Sequence, residues 1–307
     1  MKIFITLFLF PVIMYGQVKK DFKKLIEETN HYLTQYSKLT PFGNEYYPIS
    51  EFGLSKKEIK ELLIEADYPA TLPQNKDSIE SLFIIFYFHG KIEEKINQII
   101  KHPDFQKVNI KELIKSKELS IVVSEDKKLF NFSFDEKTGG TYRSRISINH
   151  YTDFIPKDST QLSEFDSFFS SDGYNEIFTL NTEEGTKYVL TGNVRNCSYC
   201  FESFVRLIVF KDNEFKEEFM YSVNNRDWND GVSYNHETKS IVVDYYIDDL
   251  TPFCKCNGEI AEENFDFDIY ADNTFSINCL CKFNFNGSAF ELVEKSWKRV
   301  NNEDRRE

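Results

Sequence analysis

Six cysteines and a few loop carboxylates are the residues of this chain whose types and spacing are best suited to chemistry. Cys197, Cys200, Cys254, Cys256, Cys279 and Cys281 all fall in the last part of the 307-residue sequence, four of them as two Cys-x-Cys units. Four thiolates at Cys254, Cys256, Cys279 and Cys281 could hold Zn²⁺ tetrahedrally, or Cu(I), which favours soft sulfur ligands. An even cysteine count behind an export signal points first to disulfides. Residues two apart on an extended strand lie roughly 6.6 Å apart at their Cα atoms, near the upper limit for a bridge. The two Cys-x-Cys units are therefore expected to bridge each other, doubly or singly, and Cys197 with Cys200 to close a small loop at a strand end. A thioredoxin-type reading of Asn196-Cys-Ser-Tyr-Cys200 lacks the βαβ context that motif requires.

The loop residues come next. Arg226, Asp227, Trp228 and Asp230 lie together in the stretch Asn224 to Gly231, and Asp248 and Asp249 follow an alternating apolar segment. A loop with Trp, Arg and acids could stack on a sugar ring or anchor a protein partner. It reads equally as a polar hairpin loop with one half-buried Trp. The five histidines, His31, His89, His102, His150 and His236, form no paired metal spacing, and no Gly-x-Ser-x-Gly elbow or phosphate-binding loop occurs. No catalytic residue is therefore assigned, and no cofactor is implied.

The elements that must position these residues divide into two regions. Phe22, Leu25, Ile26, Thr29, Leu33 and Tyr36 recur at helical spacing. Ser55 and Glu58 form a capping box ahead of Ile59, Leu62, Leu63 and Ala66. Asp77 and Glu80 repeat that capping spacing before Leu82 to Phe88, and Ile92, Ile96, Ile99 and Ile100 resume helical spacing after Gly90, so helix is expected on both sides of a break at Gly90. A short helix is expected over residues 110–115.

From Leu119 the pattern alternates with period two and hairpin turns punctuate it. The turn Asp212-Asn213 should place Phe210 opposite Phe215 and Phe204 opposite Tyr221. The turn Glu237-Thr238 should place Tyr234 opposite Ile241 and Val232 opposite Val243. A two-residue loop at Asn286-Gly287 would pair Phe283 with Phe290 and Cys281 with Leu292, and a three-residue loop over 271–273 would pair Phe275 with Ile269. Phe201 to Phe210, apolar on both faces, should be a central strand.

These elements define an α+β chain: an N-terminal helical segment followed by a mostly antiparallel β-meander domain, sandwich-like, with partial propeller-like sheets as the alternative. Lys2, the apolar run Ile3 to Tyr15 and Gly16 have the pattern of a secretory signal peptide over 1–16. The expected division is then a helical region over 17–117, a β domain with all six cysteines over 118–300, and a charged tail over 301–307. No later apolar run is long enough to span a membrane. Fifty acidic residues against 37 basic ones give a net charge of −13, which repels phosphate backbones and disfavours nucleic acid. The sequence thus reads as an exported, periplasmic or extracellular, cysteine-stabilised binding protein, a recognition module or an inhibitor of a hydrolase, with a protein or glycan partner. An acidic surface suits a basic protein partner. A secreted glycan hydrolase using the loop carboxylates is the rival, and a thiolate metal-binding protein the second alternative.

Overall fold

The computed structural model describes residues 19–41, 46–65, 78–155, 173–226, 231–247, 254–256, 259–260 and 275–301. The signal-peptide segment, Asp77, the strand expected around 265–269 and its 271–273 loop lie outside them. Helix α1 (Lys20–Tyr36) buries Phe22, Ile26, Thr29, Leu33 and Tyr36, the stripe its spacing defines. A short strand β1 (Tyr46–Pro48) leads through a 3₁₀ turn (Ile49–Phe52) to α2 (Lys56–Glu65). The capping box at its start is complete: the Glu58 amide donates to Ser55 Oγ, and the Ser55 amide to Glu58 Oε2 at 2.8 Å. Strand β2 (Ser78–Glu80) pairs with β1, and α3 (Ser81–Lys101) follows. Here the expected break is absent: α3 runs unbroken through Gly90. A mid-helix glycine is unfavourable by roughly 1 kcal/mol, and burial of Ile84, Ile85, Tyr87, Phe88, Ile92, Ile96 and Ile99 outweighs it. A short α4 (Ile110–Leu113) closes the helical region.

Three larger antiparallel sheets follow, of which the first packs on the helices. Strands β3 (Leu119–Val123), β4 (Leu129–Asp135) and β5 (Arg145–Tyr151) form the first, in that order. Its alternation sends Phe130, Phe132 and Phe134 into one core with α1 and α3, while Asn131, Ser133, Ser147 and Asn149 face the other way and are also buried. Buried amides need partners. Asn131 Nδ2 donates to Ser147 Oγ at 2.7 Å and to Asn149 Oδ1 at 2.8 Å, and the Tyr174 amide donates to Asn131 Oδ1 at 3.2 Å. A polar seam thereby joins the first sheet to the approach of the second. Gly173 permits the contact: its φ is +72°, and a Cβ there would lie 2.3 Å from Ser133 Oγ.

The second sheet is β6 (Glu176–Thr182), β7 (Gly185–Arg195), β8 (Phe201–Lys211) and β9 (Glu214–Asn225), in sequence order. Strand β8 is internal and packed on both faces: Phe204 and Ile208 meet Leu129, Tyr151 and Tyr188, whereas Val205 and Leu207 meet the third sheet. That third sheet runs β10 (Gly231–Asn235), β11 (Ser240–Tyr246), β14 (Phe275–Phe285), β15 (Phe290–Asn301). Between β11 and β14 in sequence come β12 (Lys255–Cys256) and β13 (Glu259–Ile260), a paired two-residue hairpin. The second and third sheets face each other across a shared core, a sandwich in which neither sheet closes.

Of the six cross-strand pairs expected in the described hairpins, three hold and three shift. Phe210 faces Phe215, Tyr234 faces Ile241 and Val232 faces Val243, as the turns require. Phe204 instead faces Ser222, because a bulge opposite Leu207 and Ile208 adds Glu218 to β9. The extra residue reverses the faces of β9, so that Phe215 packs with Phe210 on one side while Phe219 and Tyr221 pack on the other. Likewise Phe283 faces Leu292 and Cys281 faces Lys295. The β14 to β15 loop has four residues, closed by Asn286 Oδ1, which accepts the amides of Ser288 and Ala289 at 2.9 Å each, and a bulge at Lys282 and Phe283 shifts the remainder.

Candidate functional site

The three disulfides are Cys197–Cys200, Cys254–Cys279 and Cys256–Cys281, with Cα separations of 4.7, 5.5 and 5.9 Å. Alternation puts Cys279 and Cys281 on the inner face of β14, and each takes one cysteine of the 254–256 segment, which is buried beside Val243 and Tyr245. In this pairing all four sulfurs of the alternative thiolate metal set are joined in bridges. Among the described residues no other cluster of His, Cys, Asp or Glu is arranged to hold a metal.

The Cys197–Cys200 loop joins β7 to β8, and around it one end of the sandwich is cross-linked. Asn196 Nδ2 donates to Asn224 Oδ1 at 2.6 Å, Asn225 Nδ2 to the Tyr246 carbonyl at 3.3 Å, and Val232 N to Ser203 Oγ at 2.8 Å. These bonds tie the β7 to β8 loop and the ends of β8, β9, β10 and β11 across both sheets. Tyr199, at the tip of the disulfide loop, is 72% exposed. Of the loop candidates, exposed Arg226 stands at this end, its amide donating to Asn225 Oδ1 at 2.6 Å. Asp227, Trp228, Asp230, Asp248 and Asp249 lie outside the described residues, although their neighbours Arg226, Gly231 and Ile247 belong to this end.

Beside the disulfide loop is a groove of about 480 Å³ lined by Lys117, Glu118, Asp135, Arg143, Arg145, Asn193 and Arg195. The Arg143 amide donates to the Arg195 carbonyl at 2.8 Å, an isolated bridge between the β4 to β5 loop and the end of β7. Arg143 pairs with Asp135 through Nε, at 2.6 Å, and Nη2. Arg145 donates to the Ser133 carbonyl at 3.2 Å. Arg195 Nε and Nη2 donate to the carbonyls of Cys197 and Ser198 at 3.2 and 3.0 Å, so the guanidinium is held by the disulfide-closed loop.

Beneath the groove, Lys137 is buried and donates at 2.9 Å to Glu118 and to the carbonyls of Tyr36 and Leu39. It thereby caps the carbonyl end of α1 with a cation. Tyr36 Oη donates to the Asp135 carbonyl and lies 3.0 Å from His89 Nε2. Burial, then the Asp135 and Glu118 carboxylates, push the Tyr36 hydroxyl above its ordinary range, while burial pulls the His89 imidazole below its own. This network is internal and holds the floor of the groove.

None of Arg143, Arg145, Asn193 and Arg195 was singled out by motif. They come from separate stretches of chain that only the strand pairing brings together. The one signal available was Arg-Ser-Arg at 143–145 and an arginine just before Asn196-Cys197, at two hairpin ends.

Fold and site together define a cysteine-stabilised α+β protein with a cross-linked loop end. Compared with known proteins, the chain matches no family model, no curated protein and no solved structure. Among the described residues no helix is long and apolar enough to cross a membrane.

Proposed function

We propose that this is an exported, non-enzymatic binding protein whose contact surface is the disulfide-loop end of the sandwich. The observation that carries the reading is the cross-linking of that end: Cys197–Cys200, the Asn196 to Asn224 bond and the Asn225 to Tyr246 bond fix several loops on rigid strands. Loops held in advance lose little freedom on binding, which favours recognition. Exposed Tyr199 and Arg226 supply the residue types that anchor interfaces. In this reading residues 1–16 are a leader, 17–117 a helical region, 118–300 the cysteine-locked β domain and 301–307 a charged tail. The partner is a protein or glycan, and the net charge of −13 disfavours nucleic acid.

The test is capture from a native envelope extract on immobilised protein, with wild type compared against Tyr199→Ala combined with Arg226→Ala. Saturable capture by the wild type, reduced in the double variant, supports the reading. Absence of any saturable partner, or capture indifferent to both substitutions, refutes it.

A further inference from the structure

We infer that the groove beside the Cys197–Cys200 loop binds an oxyanion, a carboxylate or phosphate group of the ligand. The biological setting rests on the binding reading above; the chemistry rests on the groove itself. Among the described residues, four cations, Lys117, Arg143, Arg145 and Arg195, line it with two carboxylates, in a chain whose overall charge is −13. Both carboxylates already have cations: Asp135 is taken by Arg143 and Glu118 by the buried Lys137. Arg195 and Lys117 are not paired with a carboxylate among the described residues, and it is these two cations that an arriving anion meets.

The arginines are also placed rather than loose. The backbone bond from Arg143 to Arg195 brings two guanidinium-bearing residues side by side at one rim. Arg195 uses two of its five donors on carbonyls of a covalently closed loop. Its remaining donors have no partner among the described residues, and neither does the exposed Lys117 ammonium. A guanidinium whose orientation is fixed by carbonyl acceptors offers its free edge without further loss of rotamer freedom. The planar fork matches carboxylate and phosphate oxygens with two parallel hydrogen bonds, which an ammonium cannot do. Asn193 at the end of β7 adds an amide able to donate to an anion or to a neighbouring hydroxyl. Exposed lysines on β15, by contrast, lie on the edge strand of the third sheet.

Isothermal titration of the full chain at low ionic strength, with sodium glucuronate and inorganic phosphate as separate probes, tests this. At least one probe should bind saturably. Arg195→Gln should weaken that binding by roughly tenfold, the loss of charge-assisted hydrogen bonds. Lys117→Gln should weaken it severalfold, and Lys298→Gln on β15 should leave it unchanged. Preference for glucuronate assigns a carboxylate source, and preference for phosphate a phosphate source. No saturable binding of either probe overturns the inference, as does binding indifferent to Arg195→Gln and Lys117→Gln. Lys117 is an exposed side chain, so its variant keeps the test decisive even if the Arg195 variant does not fold. If the wild type still captures a partner from extract while neither anion binds, the inference fails and the binding reading stands; if both experiments are negative, both fail.

Discussion

The two long-range disulfides should stabilise the sandwich cooperatively, and the structure gives the size of the effect. Cys254–Cys279 and Cys256–Cys281 each span 25 positions and run side by side. In the chain-entropy account, closing a loop of that length in the unfolded chain is worth about 3.5 kcal/mol. Once one bridge exists, the other closes only the small ring formed by residues 254–256 and 279–281, worth about 2 kcal/mol. Removing either bridge alone, as Cys254→Ala with Cys279→Ala or as Cys256→Ala with Cys281→Ala, should therefore lower stability by about 2 kcal/mol, because the survivor still closes the long loop. Removing both should lower it by about 5.5 kcal/mol, more than the two single losses combined by about 1 kcal/mol or more. The local effects of placing alanine in these buried sites enter the single and combined variants alike, so they cancel from the difference to first order. Urea unfolding followed by tryptophan fluorescence measures all four proteins. Strict additivity, or a four-alanine variant no less stable than either two-alanine variant, would refute the argument that the bridges close one shared loop.

Three further outcomes follow from local environments. Burial lowers the His150 pKa to about 4 from its ordinary value of 6.5, so the unfolded chain takes up a proton that the folded chain refuses between those values. Stability should fall by up to about 3 kcal/mol as pH drops from 6.5 to 4, and urea midpoints of His150→Gln should lack that component. For Lys187, burial acts to lower the pKa but hydrogen bonds to Glu218 and Glu184 outweigh it and leave it raised. Its contribution is then complete below the unfolded value of 10.5 and lost as pH climbs through the folded one. Because Glu184 and Glu218 reach solvent, Lys187→Met should lower stability at pH 7 by only about 1 to 2 kcal/mol, and should remove the alkaline loss from a pH series. Ser55→Ala deletes one half of the α2 capping box and should lower stability by about 1 kcal/mol in the same assay.

How far the sequence could be read varies with the range of the interaction. The α1 stripe and the Ser55 to Glu58 box are local: spacing within a few residues decides them, and the structure returns them unchanged. The cysteine pairing was legible because strand geometry disfavours bridges within each Cys-x-Cys unit. The hairpins were half legible. Period-two alternation in β9 puts Phe215, Phe219 and Tyr221 on one face, yet Glu218 is an inserted residue and Phe215 packs opposite the other two. A bulge adds one residue without altering composition, so hydrophobic pattern alone does not reveal it. Here the insertion lets the Glu218 carboxylate reach Lys187 Nζ at 2.7 Å, a partner 31 positions away by number and two strands over. Gly90 fails for a related reason: its local propensity argues for a break, while the apolar residues on either side belong to one buried helix face.

The groove was the least legible feature, and it qualifies what the net charge implies. A total of −13 argues for a basic partner and against an anionic one. At physiological ionic strength, however, exposed charges are screened over about 8 Å, so carboxylates elsewhere on the surface count for little against a ligand in contact with Arg195. What counts there is the local set, and topology assembles it: β4 ends at Asp135, the following loop supplies Arg143, β5 begins at Arg145, and β7 ends at Arg195. Each of these positions is a strand end or hairpin turn, where a charged side chain is ordinary when viewed singly. The backbone bond from Arg143 to Arg195 makes them neighbours. An acidic outer surface and a basic groove are then compatible on one molecule, and the acidic surroundings would select against ligands that carry negative charge along their whole length. A compact ligand with a single oxyanion satisfies both.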